Sequence, residues 1–177
     1  MEKIVVLLRG INVGASRKLP MAELRAAAKA AGFDDIETYI QSGNLILTAK
    51  NAAAAEAAIE ALIASHFKMK VEAIARTAKQ WAAYARGSPF ADADERANFV
   101  HLGLSKNKPA AGAADKLSEK AAHGEEIVIE GDAIWADFKQ GVGPSKLMPA
   151  VFDKAVGSTV TMRNWRTVQK LAEMVNG

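Results

Sequence analysis

The hydrophobic pattern of the first half of the chain predicts four strands and two helices in the order βαββαβ. The run from Lys3 to Arg9 is apolar on both faces, which is typical of a central strand. Apolar residues at helical spacing follow Pro20, and a second such pattern runs from Ala55 to Phe67. The other strands are predicted at Ile36 to Gln41, Asn44 to Thr48 and Val71 to Arg76. This order is typical of the ferredoxin-like fold, in which the first and third strands lie at the centre of an antiparallel sheet.

The second half of the chain predicts the same order of elements. A strand from Asn98 to Leu104 precedes an alanine-rich helix that we expect to end near Ala122, and a hairpin then turns at Gly131-Asp132. A helix from Pro149 to Val156, a short extended segment and a last helix from about Met162 to Val175 follow. The repeated order predicts an α+β protein of two tandem ferredoxin-like (split βαβ) subdomains with antiparallel sheets and a C-terminal helix, and it indicates an internal duplication.

A further helix is predicted between the two halves. Thr77-Ala78-Lys79-Gln80 is a capping-box pattern that begins this helix, and Arg86-Gly87-Ser88-Pro89 ends it. We place a linker over residues 87–97. The predicted domains are therefore residues 1–86, which include the trailing helix, and residues 98–177.

The loop after the first strand is the first candidate for a functional site. Gly10 to Leu19 is longer than the usual link of about 2 to 6 residues between a strand and a helix. In a ferredoxin-like sheet the first two strands run parallel, so their C-terminal ends lie at the same edge. We therefore expect Arg9 and the glycine loop to lie beside the turn at Gln41-Ser42-Gly43-Asn44, which is distant in sequence.

Residues around this loop have the chemistry of an anion-binding site. A guanidinium, carboxamides, a hydroxyl and glycines that let a ligand approach the backbone suit phosphate or carboxylate groups. The loop matches neither a Walker A sequence nor a dinucleotide fingerprint. The alternative is a structural role, because glycines and turn residues also occur for backbone geometry alone. The candidate ligand-binding residues in the first half are Arg9, Gly10, Asn12, Gly14, Lys18, Gln41, Ser42 and Asn44.

A second set of candidates lies near the C-terminus. It consists of Ser145, Lys146, Arg163, Asn164 and Trp165. We predict that Thr161 caps the last helix, which places Arg163 in its first turn. A cation there opposes the helix dipole, which indicates another role for this arginine. The alternative for Asn164 and Trp165 is a structural role in the helix cap and in the core.

The charge distribution adds nucleic-acid binding as a second class of function. The net charge is +3 and the pI is about 9.1, but residues 1–31 carry six basic and two acidic side chains, and residues 141–177 carry five and two. Basic segments favour binding to nucleic acid. Base stacking on a sheet needs aromatic residues, which the central strands of the first half lack and which Phe99 and Trp135 supply in the second half.

Composition excludes several classes of chemistry. The absence of cysteine excludes disulfides, thiolate nucleophiles, iron–sulfur clusters and Cys-ligated zinc. His66, His101 and His123 have no metal-ligand spacing, so neither a metal site nor another cofactor is predicted. No apolar run is long enough for a signal peptide or a membrane span, so we expect a cytoplasmic protein without a membrane partner. No nucleophile or catalytic base can be assigned, which leaves enzymatic activity open, and the oligomeric state is not indicated.

Three motifs along the chain resemble those of a bacterial family. They are LLRGINVG at Leu7 to Gly14 with Lys18 and Pro20 following, TYIQSGN at Thr38 to Asn44, and Ser145-Lys146-Leu147 leading to Thr161-Met162-Arg163-Asn164-Trp165. With these motifs the chain resembles the domain-of-unknown-function family 1697, although Ala15 stands where glycine is common in the family and Met162 replaces a small polar residue. The resemblance implies a small cytoplasmic α+β protein without a metal or redox cofactor, and it implies no particular activity.

Three hypotheses for function follow from these observations. The preferred one is binding of an anionic or phosphorylated small molecule at the Arg9 loop and the Ser42-Gly43 turn. The second is nucleic-acid binding through the basic terminal segments. The third is a structural or assembly role, in which the motifs stabilise the join between the two halves and bind no ligand.

Overall fold

A computed structural model describes residues 1–177 and confirms the predicted α+β fold with two four-stranded antiparallel sheets. The chain divides into two compact units, one formed by Met1–Ala83 with Leu171–Gly177 and the other by Tyr84–Lys170. Each unit contains one of the sheets. None of the helices combines the length and the apolar character that crossing a membrane requires.

The sheet of the first unit has the strand order of a ferredoxin-like fold. The order across the sheet is β2-β3-β1-β4, and every pairing is antiparallel. The prediction that the first and third strands are central is therefore confirmed. In chain order the elements are β1 (Glu2–Leu8), α1 (Met21–Ala30), β2 (Glu37–Tyr39), β3 (Asn44–Ala49), α2 (Ala52–Phe67) and β4 (Ala73–Thr77).

The sheet of the second unit repeats this arrangement. The strand order is β6-β7-β5-β8, again with antiparallel pairing throughout. The two halves of the chain thus have the same topology, as the repeated pattern predicts. The remaining elements are α3 (Ala78–Arg86), β5 (Val100–Ser105), α4 (Ala113–Ser118), β6 (Glu126–Glu130), β7 (Ala133–Asp137), α5 (Pro149–Val156), β8 (Val160–Asn164) and α6 (Trp165–Asn176).

Side chains on both faces of β1 are buried. Ile4, Val6 and Leu8 belong to the core that this sheet forms with α1 and α2. On the opposite face, Val5 and Leu7 are also almost fully buried, at 0% and 1% exposure. Burying a side chain of this size stabilises a fold by about 1.5 to 3 kcal/mol. This two-sided burial explains why the strand is apolar at every position from Ile4 to Leu8.

Acidic side chains of helices bond to the backbone of an edge strand in both units. Glu56 and Glu60 of α2 accept hydrogen bonds from two backbone amides of β4, at 2.7 and 2.8 Å. In the second unit, Asp153 of α5 accepts a hydrogen bond from the backbone amide of Val160 in β8, at 2.9 Å. These bonds satisfy edge-strand amides that would otherwise be open to pairing with another chain.

The hairpin between β2 and β3 differs from the prediction. β2 ends at Tyr39 rather than Gln41, and the turn occupies residues 40–43 rather than Ser42-Gly43 alone. The strand ends there because Ile40, the first residue of the turn, has a φ of +50°, which lies in the left-handed region and is incompatible with a strand.

The last helix begins later than predicted. Val160–Asn164 forms β8, and Arg163 pairs with β5 rather than opening a helix. Thr161 is therefore a strand residue and not the N-cap. Asn164 caps α6 instead, because its Oδ1 accepts a hydrogen bond from the backbone amide of Thr167 at 3.0 Å. Arg163 consequently does not sit in a first helical turn, and the prediction that it opposes a helix dipole is wrong.

Two further boundaries differ from the prediction. α4 ends at Ser118 rather than near Ala122, because the amides of Lys120 and Ala121 bond to carbonyls three residues back, which is the tighter 3₁₀ pattern. β4 begins two residues later than predicted, at Ala73. The capping box before α3 is confirmed by reciprocal hydrogen bonds between Thr77 and Gln80, at 2.9 and 3.2 Å.

An ion cluster around the buried carboxylate of Asp137 attaches the segment before β5 to the sheet of the second unit. Asp137, at the end of β7, is fully buried, and its Oδ2 accepts hydrogen bonds from Arg96 and, at 2.7 Å, from Lys139 Nζ. Burial raises the pKa of Asp137, but hydrogen bonds from the two cations outweigh burial and hold the pKa below its usual range. The carboxylate is therefore charged at neutral pH.

We expect Asp137→Asn to lower the free energy of unfolding by about 2 to 4 kcal/mol at pH 7, because both cations lose their buried partner. Because folding lowers the pKa, the charge of Asp137 stabilises the fold above the unfolded-state pKa of about 3.9, and this stabilisation is lost as the pH falls through the folded-state pKa. Urea unfolding at about pH 7 and about pH 3 measures both effects. Glu119→Gln, at an exposed site, is the control, and a variant effect that does not shrink in acid would contradict this assignment.

Candidate functional site

The C-terminal end of β1 lies directly beside the β2–β3 turn. The backbone amide of Leu8 donates a hydrogen bond to the carbonyl of Gly43 at 2.8 Å, and the amide of Arg9 donates to the carbonyl of Glu72 at 3.0 Å. Gly43 has a φ of +88°, and a Cβ atom there would lie 2.8 Å from side-chain atoms of both Leu8 and Ile11. Only glycine therefore fits at this contact. The structure brings together the two segments that the topology predicts to be neighbours.

The carboxamide of Asn12 holds the loop against both the turn and the start of α1. Its Oδ1 accepts a hydrogen bond from the amide of Leu19 at 2.7 Å, and its Nδ2 donates to the carbonyls of Leu19 and Gln41 at 2.9 and 2.6 Å. Ile11 and Leu19, at the two ends of this arrangement, bury their side chains in the core of the first unit. The path of the loop is thus fixed by three hydrogen bonds from one side chain and by two apolar anchors.

The other amide side chains of the turn also bond within the protein. Gln41 Oε1 accepts a hydrogen bond from the amide of Met21, the first residue of α1, at 3.3 Å. Asn44 is fully buried, and its Nδ2 donates to the carbonyl of Tyr39 at 2.9 Å and to Ser42 Oγ at 3.0 Å. These hydrogen bonds join the turn to the first residue of α1 and link its own residues to one another.

Ile40 adopts a backbone conformation that disfavours its own side chain. Its φ of +50° is in the left-handed region, which costs an L-residue about 1 to 2 kcal/mol and is least suited to β-branched residues. Its side chain is nevertheless 49% exposed, so burial in the core does not explain the residue.

The exposed tip of the loop presents cations. Arg17 and Lys18 are exposed and form no ion pair, while one guanidinium nitrogen of Arg17 donates to the carbonyl of Lys70 at 2.9 Å. The amide of Asn12 donates to the carbonyl of Arg17 at 3.0 Å and closes the tip into a compact turn. Gly10 and Gly14 are exposed at φ values of +62° and +61°, and a Cβ atom at either position would have no neighbour within 4 Å.

In the second unit, Ser145 supports the fold. It is buried, its Oγ donates to Glu125 Oε1 at 2.6 Å, and the same oxygen accepts a hydrogen bond from the amide of Leu147 at 3.1 Å. Burial raises the pKa of Glu125, but the hydrogen bonds from Ser145 and from the amide of His123 outweigh burial and lower it overall. Lys146, next in the chain, is exposed.

Arg163 and its neighbours are also bonded within the second unit. Arg163 is 8% exposed, and its guanidinium donates to Thr161 Oγ1 and to the carbonyl of Met162, both at 2.8 Å. Burial lowers the pKa of Arg163 to about 10, which leaves it charged at neutral pH. The indole of Trp165 donates to Asp94 Oδ1 at 2.7 Å and lies 5.8 Å from the ring of Trp135.

The structure therefore sorts the candidate residues into two groups. Arg9, Gly10, Asn12, Gly14, Lys18, Gln41, Ser42 and Asn44 lie on one loop and one turn of the first unit, whereas Ser145, Lys146, Arg163, Asn164 and Trp165 lie in the second unit. Two residues of the first region, Arg17 and Ile40, are absent from the sequence-based set. Arg17 was detectable as a cation next to Lys18, whereas Ile40 falls inside the strand predicted from Ile36 to Gln41 and therefore gave no signal. Nowhere does the structure group three or more His, Cys, Asp or Glu side chains in a way that could hold a metal ion.

The loop and the turn lie within the residues that match a protein-family model. A family model described as a protein of unknown function (DUF1697) matches residues 1–135. The chain belongs to this family. The match confirms the family that the sequence resembles. It includes the first two motifs, while the third, from Ser145 to Trp165, lies beyond the matched residues.

The fold of this DUF1697 protein is shared with a solved structure. The chain is similar to a conserved bacterial protein from Streptococcus pneumoniae, with a TM-score of 0.72 and 22% sequence identity over 98% of this chain and 98% of that chain. The TM-score shows that the two proteins share a fold, and the likeness shows nothing beyond the fold. No protein of curated function matches the chain significantly.

We expect Asn12→Ala to lower the free energy of unfolding by about 2 to 4 kcal/mol, because it removes three hydrogen bonds and leaves the carbonyl of Gln41 and both backbone groups of Leu19 without this partner. Asn12→Asp tests the donor separately, since it keeps the acceptor for the Leu19 amide but sets a carboxylate against two carbonyls. Denaturant unfolding measures both variants, with Asn98→Ala at an exposed site as the control. An effect of Asn12→Ala no larger than the control would contradict the role of this side chain.

Proposed function

We propose that this DUF1697 protein binds an anionic small molecule at the loop of residues 10–19 and the turn of residues 40–43. The observation that carries the proposal is the pair of exposed cations Arg17 and Lys18, neither in an ion pair, on a loop that Asn12 holds in place. Arg9, at the end of β1, is half-buried and adds a third positive charge at the base of the loop.

Preorganisation makes this loop suited to binding. A flexible loop loses conformational freedom when it closes on a ligand, whereas a loop that is already fixed avoids most of that cost. Here the Asn12 and Gln41 side chains fix the backbone, and the cations lie outside those hydrogen bonds. The exposed glycines Gly10 and Gly14 carry no side chain that would keep a phosphate or carboxylate from the backbone.

The candidate residues of the second unit are assigned a structural role in this proposal. Ser145, Asn164 and Trp165 have hydrogen-bond roles within their own unit, and Arg163 is buried and bonded to Thr161 and Met162. We assign them to stability of the second unit. That these residues and the Arg9 loop form one ligand site stays a prediction.

Two alternatives make different predictions for the same protein. Of the two aromatic residues that base stacking would use, Trp135 is 1% exposed and cannot stack on a base, whereas Phe99 is 39% exposed and lies under the guanidinium of Arg96. A structural role without a ligand draws support from the same internal hydrogen bonds of Asn12 and Asn44 that support preorganisation. Direct binding measurements separate these alternatives from the proposal.

Calorimetric titration with inorganic phosphate and inorganic pyrophosphate tests the proposal. We expect pyrophosphate to bind more tightly, and we expect Arg17→Gln combined with Lys18→Gln to weaken its binding by about tenfold or more, because charge-assisted contacts are lost. Lys29→Gln combined with Lys50→Gln is the control, since it removes the same charge at exposed sites at the far end of α1 and of β3.

Three outcomes would contradict the proposal. Absence of heat with both probes favours the structural alternative. Equal loss of affinity in both double variants means that net charge rather than this loop attracts the anion. Tighter binding of single-stranded RNA than of pyrophosphate, with an affinity that falls steeply with salt, favours the nucleic-acid alternative.

A further inference from the structure

Ile40 is an apolar residue at a position where other residues would fit the backbone better. Its left-handed φ of +50° suits glycine or asparagine without strain, and its side chain is half exposed. The flanking carbonyls of Tyr39 and Gln41 accept hydrogen bonds from Asn44 and Asn12, which fix the path of the turn on both sides of Ile40. The turn therefore imposes the strained conformation, and the fold itself draws little benefit from this side chain.

A second exposed apolar residue lies on the loop that Asn12 bonds to this turn. Val13 is 66% exposed and follows Asn12, whose Nδ2 bonds to the carbonyl of Gln41 at 2.6 Å. Val13 and Ile40 are thus the chain neighbours of two residues in direct contact. Arg17 is bonded through its carbonyl to the amide of Asn12, so the cations and the two apolar side chains occupy the same end of the first unit.

We infer that the ligand carries an apolar group next to its anionic group, and that Ile40 contacts this apolar group. The inference rests on the proposed function, because the loop cations must bind the anionic part. The ligand class is an amphiphilic anion, such as the phosphate ester of an aromatic ring or of a short alkyl chain. Contact of such a group with Ile40 and Val13 removes apolar surface of both partners from water.

Backbone strain and ligand binding favour different residues at position 40. A residue that relieves the left-handed strain stabilises the free protein, but it removes the apolar contact with the ligand. Ile40→Asn therefore serves as the diagnostic variant. A residue with a purely structural role would lose stability when it is replaced and would not change the choice between ligands.

Calorimetric titration of the intact chain with inorganic phosphate and with phenyl phosphate tests the inference. We expect phenyl phosphate to bind the wild-type protein about tenfold more tightly than inorganic phosphate, which is the effect of burying one or two methylene-sized groups. Ile40→Asn removes this preference and raises the Tm, because asparagine adopts a left-handed φ with less strain than isoleucine. Val142→Asn is the control, because Val142 is a β-branched residue of equal exposure, 49%, in the second unit.

The outcomes distinguish this inference from the function on which it rests. If neither probe binds the wild-type protein, the proposed function fails and the inference fails with it. If both bind equally well, the proposed function stands and the amphiphilic ligand class is wrong. A preference for phenyl phosphate that survives Ile40→Asn, or that Val142→Asn also removes, overturns the assignment to Ile40.

Discussion

The three hydrogen bonds of the Asn12 carboxamide are the interaction on which the candidate site depends. They join the loop after β1 to the start of α1 through Leu19 and to the β2–β3 turn through Gln41. Fixing a backbone segment of this length in a single conformation without secondary structure costs much conformational entropy, which these hydrogen bonds offset. One polar side chain thus converts a long connection into a fixed surface that carries Arg17 and Lys18.

Polar side chains form internal hydrogen bonds in both units. In the second unit, Ser145 bonds to buried Glu125, Arg163 is buried against Thr161, and Asn164 caps α6, so these groups support the fold. In the first unit, Asn12 and Gln41 are also bonded internally, and they hold a loop that carries two adjacent exposed cations, Arg17 and Lys18. In the second unit the exposed cation next to Ser145 is Lys146 alone, while Arg163 is buried.

The order of elements was predictable because β1 is apolar on both faces and because the same pattern recurs in the second half. The neighbourhood of Arg9 and the 40–43 turn followed from topology alone. Where the predicted boundaries were wrong, hydrogen bonds between residues distant in sequence determined the local structure. The left-handed Ile40 results from carbonyls fixed by Asn12 and Asn44, and residues 160–164 form a strand because β5 offers an open edge to them. Neither effect is encoded in local propensity.

The most direct test of the central claim is a ¹H–¹⁵N NMR titration of the wild-type protein with pyrophosphate, read amide by amide. We expect saturable shifts concentrated at residues 10–19 and 40–43, with the directions of a single bound state and little change in β5 to β8. Shifts that centre on the second unit, or that never saturate and spread over all basic surfaces, would contradict the claim that the Asn12-held loop is the anion-binding site.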